Sequence, residues 1–169
     1  MRRGFTILEM LITMAVVLIA VLLILGLAAR AMVISTQSLT TIELADDLLK
    51  TAMELRKEII KAGPRADQVF FDPDNPASIS FWVNVPLAGE NYNFQNYRYT
   101  IVFRRPNIEL QIYQEVSKEW ILEKTKILAT DISTCTFFAS PGTISFTIGK
   151  EKNSIERTYF MSIALPNLE

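Results

Sequence analysis

Two hydrophobic periodicities follow one another along the chain. From Met10 to Ala29 no position carries a charge, and apolar side chains recur at every helical angle rather than along one stripe. A helix of that composition has no face for water. At about 1.5 Å per residue its 20 residues cross the roughly 30 Å hydrocarbon layer of a bilayer. Beyond Arg30 the pattern turns amphipathic. Ile42, Ala45, Leu48, Leu49, Ala52, Leu55 and Ile59 recur at spacings of three and four, with Asp46, Asp47, Lys50, Glu54, Lys57, Glu58 and Lys61 between them. Proline is absent from Met1 to Ala62, and Ala62-Gly63-Pro64 supplies a stop. The spacing therefore predicts one helix from about Phe5 to about Ala62, with its weakest stretch at Ser35–Thr41, where a break is allowed.

From Gln68 onward the period falls from 3.6 to 2. Ile79, Phe81, Val83 and Val85 alternate with Ser78, Ser80, Trp82 and Asn84, up to Pro86. Tyr97, Tyr99, Ile101 and Phe103 form a second run, which Arg105-Pro106-Asn107 turns into a strand carrying Leu110 and Ile112. Cys135 and Phe137, then Ile144 to Ile148, then Tyr159 to Ile163 complete six or seven antiparallel strands. The turns between them fall at Ser140-Pro141-Gly142 and at Gly149–Asn153. A helix whose stripe from Ala45 to Ile59 lies on one face of such a sheet makes an α+β head.

Composition narrows the chemistry. The chain has no histidine and a single cysteine, Cys135. That excludes an internal disulfide, a Cys/His zinc cluster and any catalytic device built on histidine. No cofactor is expected. A mean hydropathy of +0.23 is high for a water-facing surface, and the excess lies near the N-terminus. After residue 30 the chain carries 14 basic and 17 acidic residues, so general nucleic-acid binding is not expected. A secretory signal peptide shares the basic start and apolar run, but its apolar core is shorter and ends at a cleavage site, whereas this run continues through Arg30. Arg2 and Arg3 place the N-terminus on the cytoplasmic side and the head outside. Glu9, at the start of the apolar run, requires a partner: Arg2 or Arg3, a lipid headgroup, or another molecule.

The string Met1-Arg2-Arg3-Gly4-Phe5-Thr6-Ile7-Leu8-Glu9 resembles the N-terminus of type IV prepilins and of the pseudopilins of type II secretion. The resemblance implies a leader of residues 1–4 cut after Gly4 by a prepilin peptidase and N-methylation of Phe5, the new terminus. Glu9 then becomes an assembly residue that neutralises the terminal amine of a neighbouring subunit. It implies a pilin-like fold, with a transmembrane and assembly helix over 5–30 and the rest of the helix plus a β-rich head over 31–169. The implied partners are other pilins through the N-terminal helix, the peptidase, an inner-membrane assembly platform and the inner membrane itself, before a periplasmic or cell-surface filament forms. Glu54-Leu55-Arg56, Lys126–Ile132 and Ala164–Asn167 are similar to a minor subgroup containing pilin W and pseudopilin J. A non-catalytic minor subunit follows, and a tip adhesin for DNA or glycan is the alternative. Gly26 has two readings, a helix breaker used in filaments or a small residue for helix packing.

Four further places invite chemistry, each with a plainer reading. Asp72-Pro73-Asp74-Asn75-Pro76 offers oxygens for calcium but lacks the glycine and the final glutamate of a calcium loop, and reads first as a rigid turn. The run Glu90–Tyr97 is aromatic and amide-rich, either an adhesive loop or a plain connection. Asp46-Asp47 read as a solvated helix face rather than paired catalytic acids, because neighbours on a helix diverge by about 100°. Cys135 alternates in phase with Phe137 and reads as a buried structural thiol.

Overall fold

The computed structural model describes residues 6–62, 69–86, 94–140 and 142–165. One long N-terminal helix, α1 (Ile7–Ile59), is followed by antiparallel sheets, the α+β pilin-like architecture. The chain divides into two compact units, Met1–Thr41 and Ile42–Glu169.

In the first unit the described residues are helical from Ile7 onward, and Phe5, the expected helix start, lies outside the described residues. Ser35–Thr41 is helical throughout, with no break. Two of its threonines, Thr36 and Thr40, satisfy themselves against the helix. Thr36 Oγ1 donates to the Met32 and Val33 carbonyls at 3.1 and 2.9 Å, and Thr40 Oγ1 donates to Thr36 O at 3.0 Å. Hydroxyls bonded back in this way offer the backbone no competing non-helical partner.

In the second unit the remainder of α1 lies against two sheets rather than the one expected. The larger has the order β1-β2-β3-β4-β5, with β1 (Val69–Phe71), β2 (Ser78–Pro86), β3 (Phe94–Arg104), β4 (Asn107–Val116) and β5 (Glu119–Ala129). The smaller has the order β6-β7-β8, with β6 (Thr134–Ser140), β7 (Thr143–Lys152) and β8 (Ile155–Ala164). All neighbours are antiparallel. The strands exceed the count read from periodicity by β1 and β5. β5 escapes because its turn is Ser117-Lys118, both at positive φ (54° and 71°), and not one of the Asn-Gly or Asp-Gly pairs that announce a hairpin. β5 is also a sheet edge with register shifts against β4, and Ile121, Leu122 and Ile127 are exposed among Glu119, Glu123, Lys124 and Lys126. Bulges and charges of this kind keep an edge from pairing with other chains.

The other turns hold with one correction. Pro86 does end β2, and the β3–β4 hairpin turns at Arg105-Pro106, with Arg104 opposite Asn107. Gly149 is not a turn residue. It lies inside β7 opposite Thr134 of β6, and a Cβ there would run into Thr134 Oγ1 and come within 3.2 Å of Ser133 Oγ, so the close approach of these side chains from the start of the neighbouring strand explains the glycine. The turn itself is Asn153-Ser154, at φ 53° and 61°, closed by Lys152 opposite Ile155.

The core lies between the helix and the inner faces of both sheets. Leu48, Ala52, Leu55 and Ile59 meet Ile79, Phe81, Ile101 and Leu110 from one sheet and Phe137, Phe146 and Ile148 from the other. Each fully buried Leu, Ile or Phe contributes about 1.5–3 kcal/mol. The buried helix face is Leu44, Leu48, Thr51, Ala52, Leu55, Glu58 and Ile59. This corrects the expected stripe, since Ile42, Ala45 and Leu49 are exposed. Two adjacent rows of the helix are apolar, and periodicity alone does not say which one the sheets take.

Charges secure the helix along its flank. Lys152 Nζ pairs with Glu43 Oε2 at 2.6 Å, and Lys150 Nζ with Asp47 Oδ2 at 3.1 Å. Asp47 therefore faces β7, while Asp46 stays exposed and pairs with Lys50 at 2.6 Å. The reading of both acids as a solvated face holds for Asp46 alone. The pairing also raises the ammonium pKa of Lys50 and of Lys152, through the hydrogen bonds to Asp46 and to Glu43 respectively. At the helix end the buried Glu58 carboxylate is met by Lys61 and, at 3.5 Å, by Lys126 from β5.

Candidate functional site

Thr6 and Glu9 organise the helix start. Glu9 Oε2 accepts from the Thr6 backbone N–H at 3.0 Å and from Thr6 Oγ1 at 3.1 Å, while Glu9 N donates to Thr6 Oγ1 at 3.3 Å. This is a reciprocal capping box, which satisfies donors that a helix N-terminus otherwise leaves open. The signal for it in the sequence is local, Thr-x-x-Glu before an apolar run, and it gives Glu9 a partner other than a charge. Thr6 adds a neutral partner to those considered. Thr13 Oγ1 donates to Glu9 O at 2.6 Å, so the one polar side chain of the next turn is also absorbed. Gly4 and Phe5 lie outside the described residues.

After Glu9 the helix surface is apolar on every side. Its richest 18-residue window has a hydropathy of 3.1 and none of it is buried. Large apolar residues from Ile7 to Leu39 remain 45–82% exposed. Contiguous apolar surface on this scale marks a membrane or protein contact. Length and composition both suffice to cross a bilayer.

Gly26 has no atom within 4 Å of where a Cβ would stand. Nothing among the described residues therefore requires glycine there. Gly26→Ala should make the isolated chain slightly more helical, by about 1 kcal/mol, as circular dichroism in micelles would record. A simultaneous loss of filament incorporation would assign the glycine to contacts between subunits.

The remaining sequence candidates resolve into structure. Asp72 Oδ1 accepts from Asp74 N at 3.0 Å and Asp72 O from Asn75 N at 3.0 Å, so the Asp72 carboxylate is engaged in its own turn. Of Glu90–Tyr97, residues 90–93 lie outside the described residues, and Phe94–Tyr97 are the start of β3. Cys135 is buried beside Phe137 and Phe146, and burial pushes its thiol pKa up to about 12. The folded chain holds that proton where the unfolded chain, titrating near 9, has lost it. Above pH 9 the thiol's contribution should therefore fall by about 1.4 kcal/mol per pH unit until the folded value is reached. Denaturant titrations of wild type and Cys135→Ala between pH 8 and about 10.5 should converge with rising pH; parallel curves would contradict the burial argument.

Residues 1–26 match the family model described as the prokaryotic N-terminal methylation motif. The match supports the type IV pilin/pseudopilin family for this chain, as Met1–Glu9 suggested. Comparison with curated proteins and with solved structures gave no match.

Proposed function

We propose that this chain is a minor pilin or pseudopilin, a non-catalytic subunit that contributes to initiating or assembling a type IV pilus or type II secretion-like filament. The observation that carries the reading is a methylation motif at residues 1–26 running directly into an apolar helix with no buried window. The motif in general implies processing by prepilin peptidase and assembly with other pilins. In this chain the peptidase removes residues 1–4 after Gly4, and Phe5 becomes the methylated terminus. Arg2 and Arg3 hold the leader at the cytoplasmic face of the inner membrane, with the head outside. An assembly platform then transfers the helix from lipid to a filament core. The transfer exchanges one apolar surrounding for another, so helix packing and charge pairing decide it rather than hydrophobic burial.

Mass spectrometry of the membrane-extracted protein, together with crosslinking from a cysteine placed at Ile19, tests both halves. A terminus at N-methylated Phe5 and crosslinks to other pilins are expected. An intact Met1 or Arg2 terminus would refute the processing. Absence of any pilin crosslink in filament-producing cells would refute the assembly role.

A further inference from the structure

The outer face of the five-stranded sheet, turned away from the core, holds both tryptophans of the chain in one recess. Register brings them there. Trp82 on β2 lies opposite Arg98 on β3, and Arg98 lies opposite Tyr113 on β4. Trp120 on β5 closes the far side, its ring 5.7 Å from that of Trp82 and tilted by 47°. Phe70 extends the wall beyond Trp82, ring to ring at 6.0 Å. The open recess between these side chains has a volume of about 420 Å³, the size of a small-ligand site. Its floor carries the hydroxyls of Ser80 and Thr100, 2.9 Å apart.

Arg98 is the unusual member. Its guanidinium carbon lies 5.0 Å from the Tyr113 ring centroid and 5.5 Å from that of Trp120. Among the described residues it has no ion pair, and its Nε, shut off from solvent, has no hydrogen-bond partner. Among the described residues only stacking holds its guanidinium, although that group has five donors shaped to grip a carboxylate. Charge around it is sparse and balanced. Among the described residues the other cation on this face, Arg104, pairs with Glu109 at 3.9 Å, and Glu115 accepts from Asn96 at 3.4 Å. A nucleic-acid strand presents a charge at every phosphate and needs several free cations. A single free guanidinium amid hydroxyls, amides and tilted aromatic rings suits a different ligand, with apolar faces to lie on the rings, hydroxyls to bond, and one negative group.

We propose that this recess binds a carboxylate-bearing sugar, its ring face against Trp82 and Trp120 and its carboxylate on Arg98. The site belongs to the head and does not depend on the filament reading, so either can fail without the other.

Because Trp82 and Trp120 are the only two tryptophans, tryptophan fluorescence, excited at the red edge where tyrosine does not absorb, reports this recess. The full chain, held in a detergent without a sugar headgroup, should show a saturable fluorescence change with digalacturonate or with N-acetylneuraminate. The neutral galactobiose should bind about tenfold or more weakly, and single-stranded oligothymidylate more weakly than either acid sugar. Arg98→Gln should weaken the acid sugar by about tenfold or more and leave galactobiose unaffected. Arg98→Lys, which keeps the charge without the fork, should fall between, and serves also if the glutamine variant loses its fold by circular dichroism. Failure of both acid sugars to give a saturable change would overturn the proposal. So would equal binding of the neutral sugar, tighter binding of the oligonucleotide, or an acid-sugar affinity indifferent to Arg98→Lys.

Discussion

Glu9→Val is expected to leave the protein inserted in the membrane and trimmed, yet to cut its incorporation into filaments by about tenfold or more. The proposed partner of Glu9 is the protonated amine of Phe5 on a neighbouring subunit. Two unit charges 4 Å apart attract by about 4 kcal/mol at an effective dielectric of 20, against about 1 kcal/mol in water, so the pair is valuable only once solvent is excluded. Removing one member strands the other in an apolar surrounding. The structure supplies a competing account, because the same carboxylate caps the helix through Thr6. A cap is worth about 1 kcal/mol, a roughly fivefold effect.

Glu9→Gln separates the two, since glutamine at this position of a capping box still bonds the Thr6 backbone but carries no charge. If charge pairing governs assembly, the glutamine variant should fail as the valine variant does, while Thr6→Val changes incorporation by no more than about fivefold. Crosslinking to other pilins and counts of filament-borne subunit would measure each strain. Wild-type behaviour from Glu9→Gln would reduce Glu9 to a capping residue and end its assembly role.

Much of this architecture could be read from the chain because single-strand patterns determine it. The all-round apolar run, the proline-free helix, the alternation over 78–85 and 97–103, and the turn residues at 105–107 and 140–142 each signal within a few positions. What could not be read depends on pairing. Leu44 rather than Ala45 faces the core because the sheets select one of two apolar rows. Gly149 is explained by the side chains of Ser133 and Thr134 at the start of the paired strand, about fifteen residues earlier in the chain. The Trp82–Arg98–Tyr113 row exists only through the register of three strands, and no local spacing announces it. The Thr6–Glu9 box is the opposite case: it is fully local, a threonine and a glutamate three residues apart at the head of an apolar run.

Leu55→Ala is expected to cost the head about 2–5 kcal/mol, a large share of the roughly 5–15 kcal/mol that holds a domain together. Leu55 is fully buried where α1 meets both sheets, and the single cysteine leaves no disulfide to limit the loss. One turn on, Glu58 is buried too, and its exchange should behave differently. Its carboxylate gains from Lys61 and Lys126 but gives up its hydration to do so. Glu58→Met replaces a desolvated charge with an apolar chain of similar volume, and both lysines, each more than 40% exposed, can turn to water. The expected change is therefore within about 1 kcal/mol of zero, and a gain is allowed. Lys61→Ala with Lys126→Ala does the reverse, stranding the buried acid, and should cost about 3 kcal/mol or more. Urea unfolding of the full chain in micelles, followed by tryptophan fluorescence, isolates the head because Trp82 and Trp120 both lie in it. A loss from Glu58→Met equal to that from Leu55→Ala would show that the ion pairs bind this helix to the sheets as strongly as apolar contact does, against the expectation from desolvation.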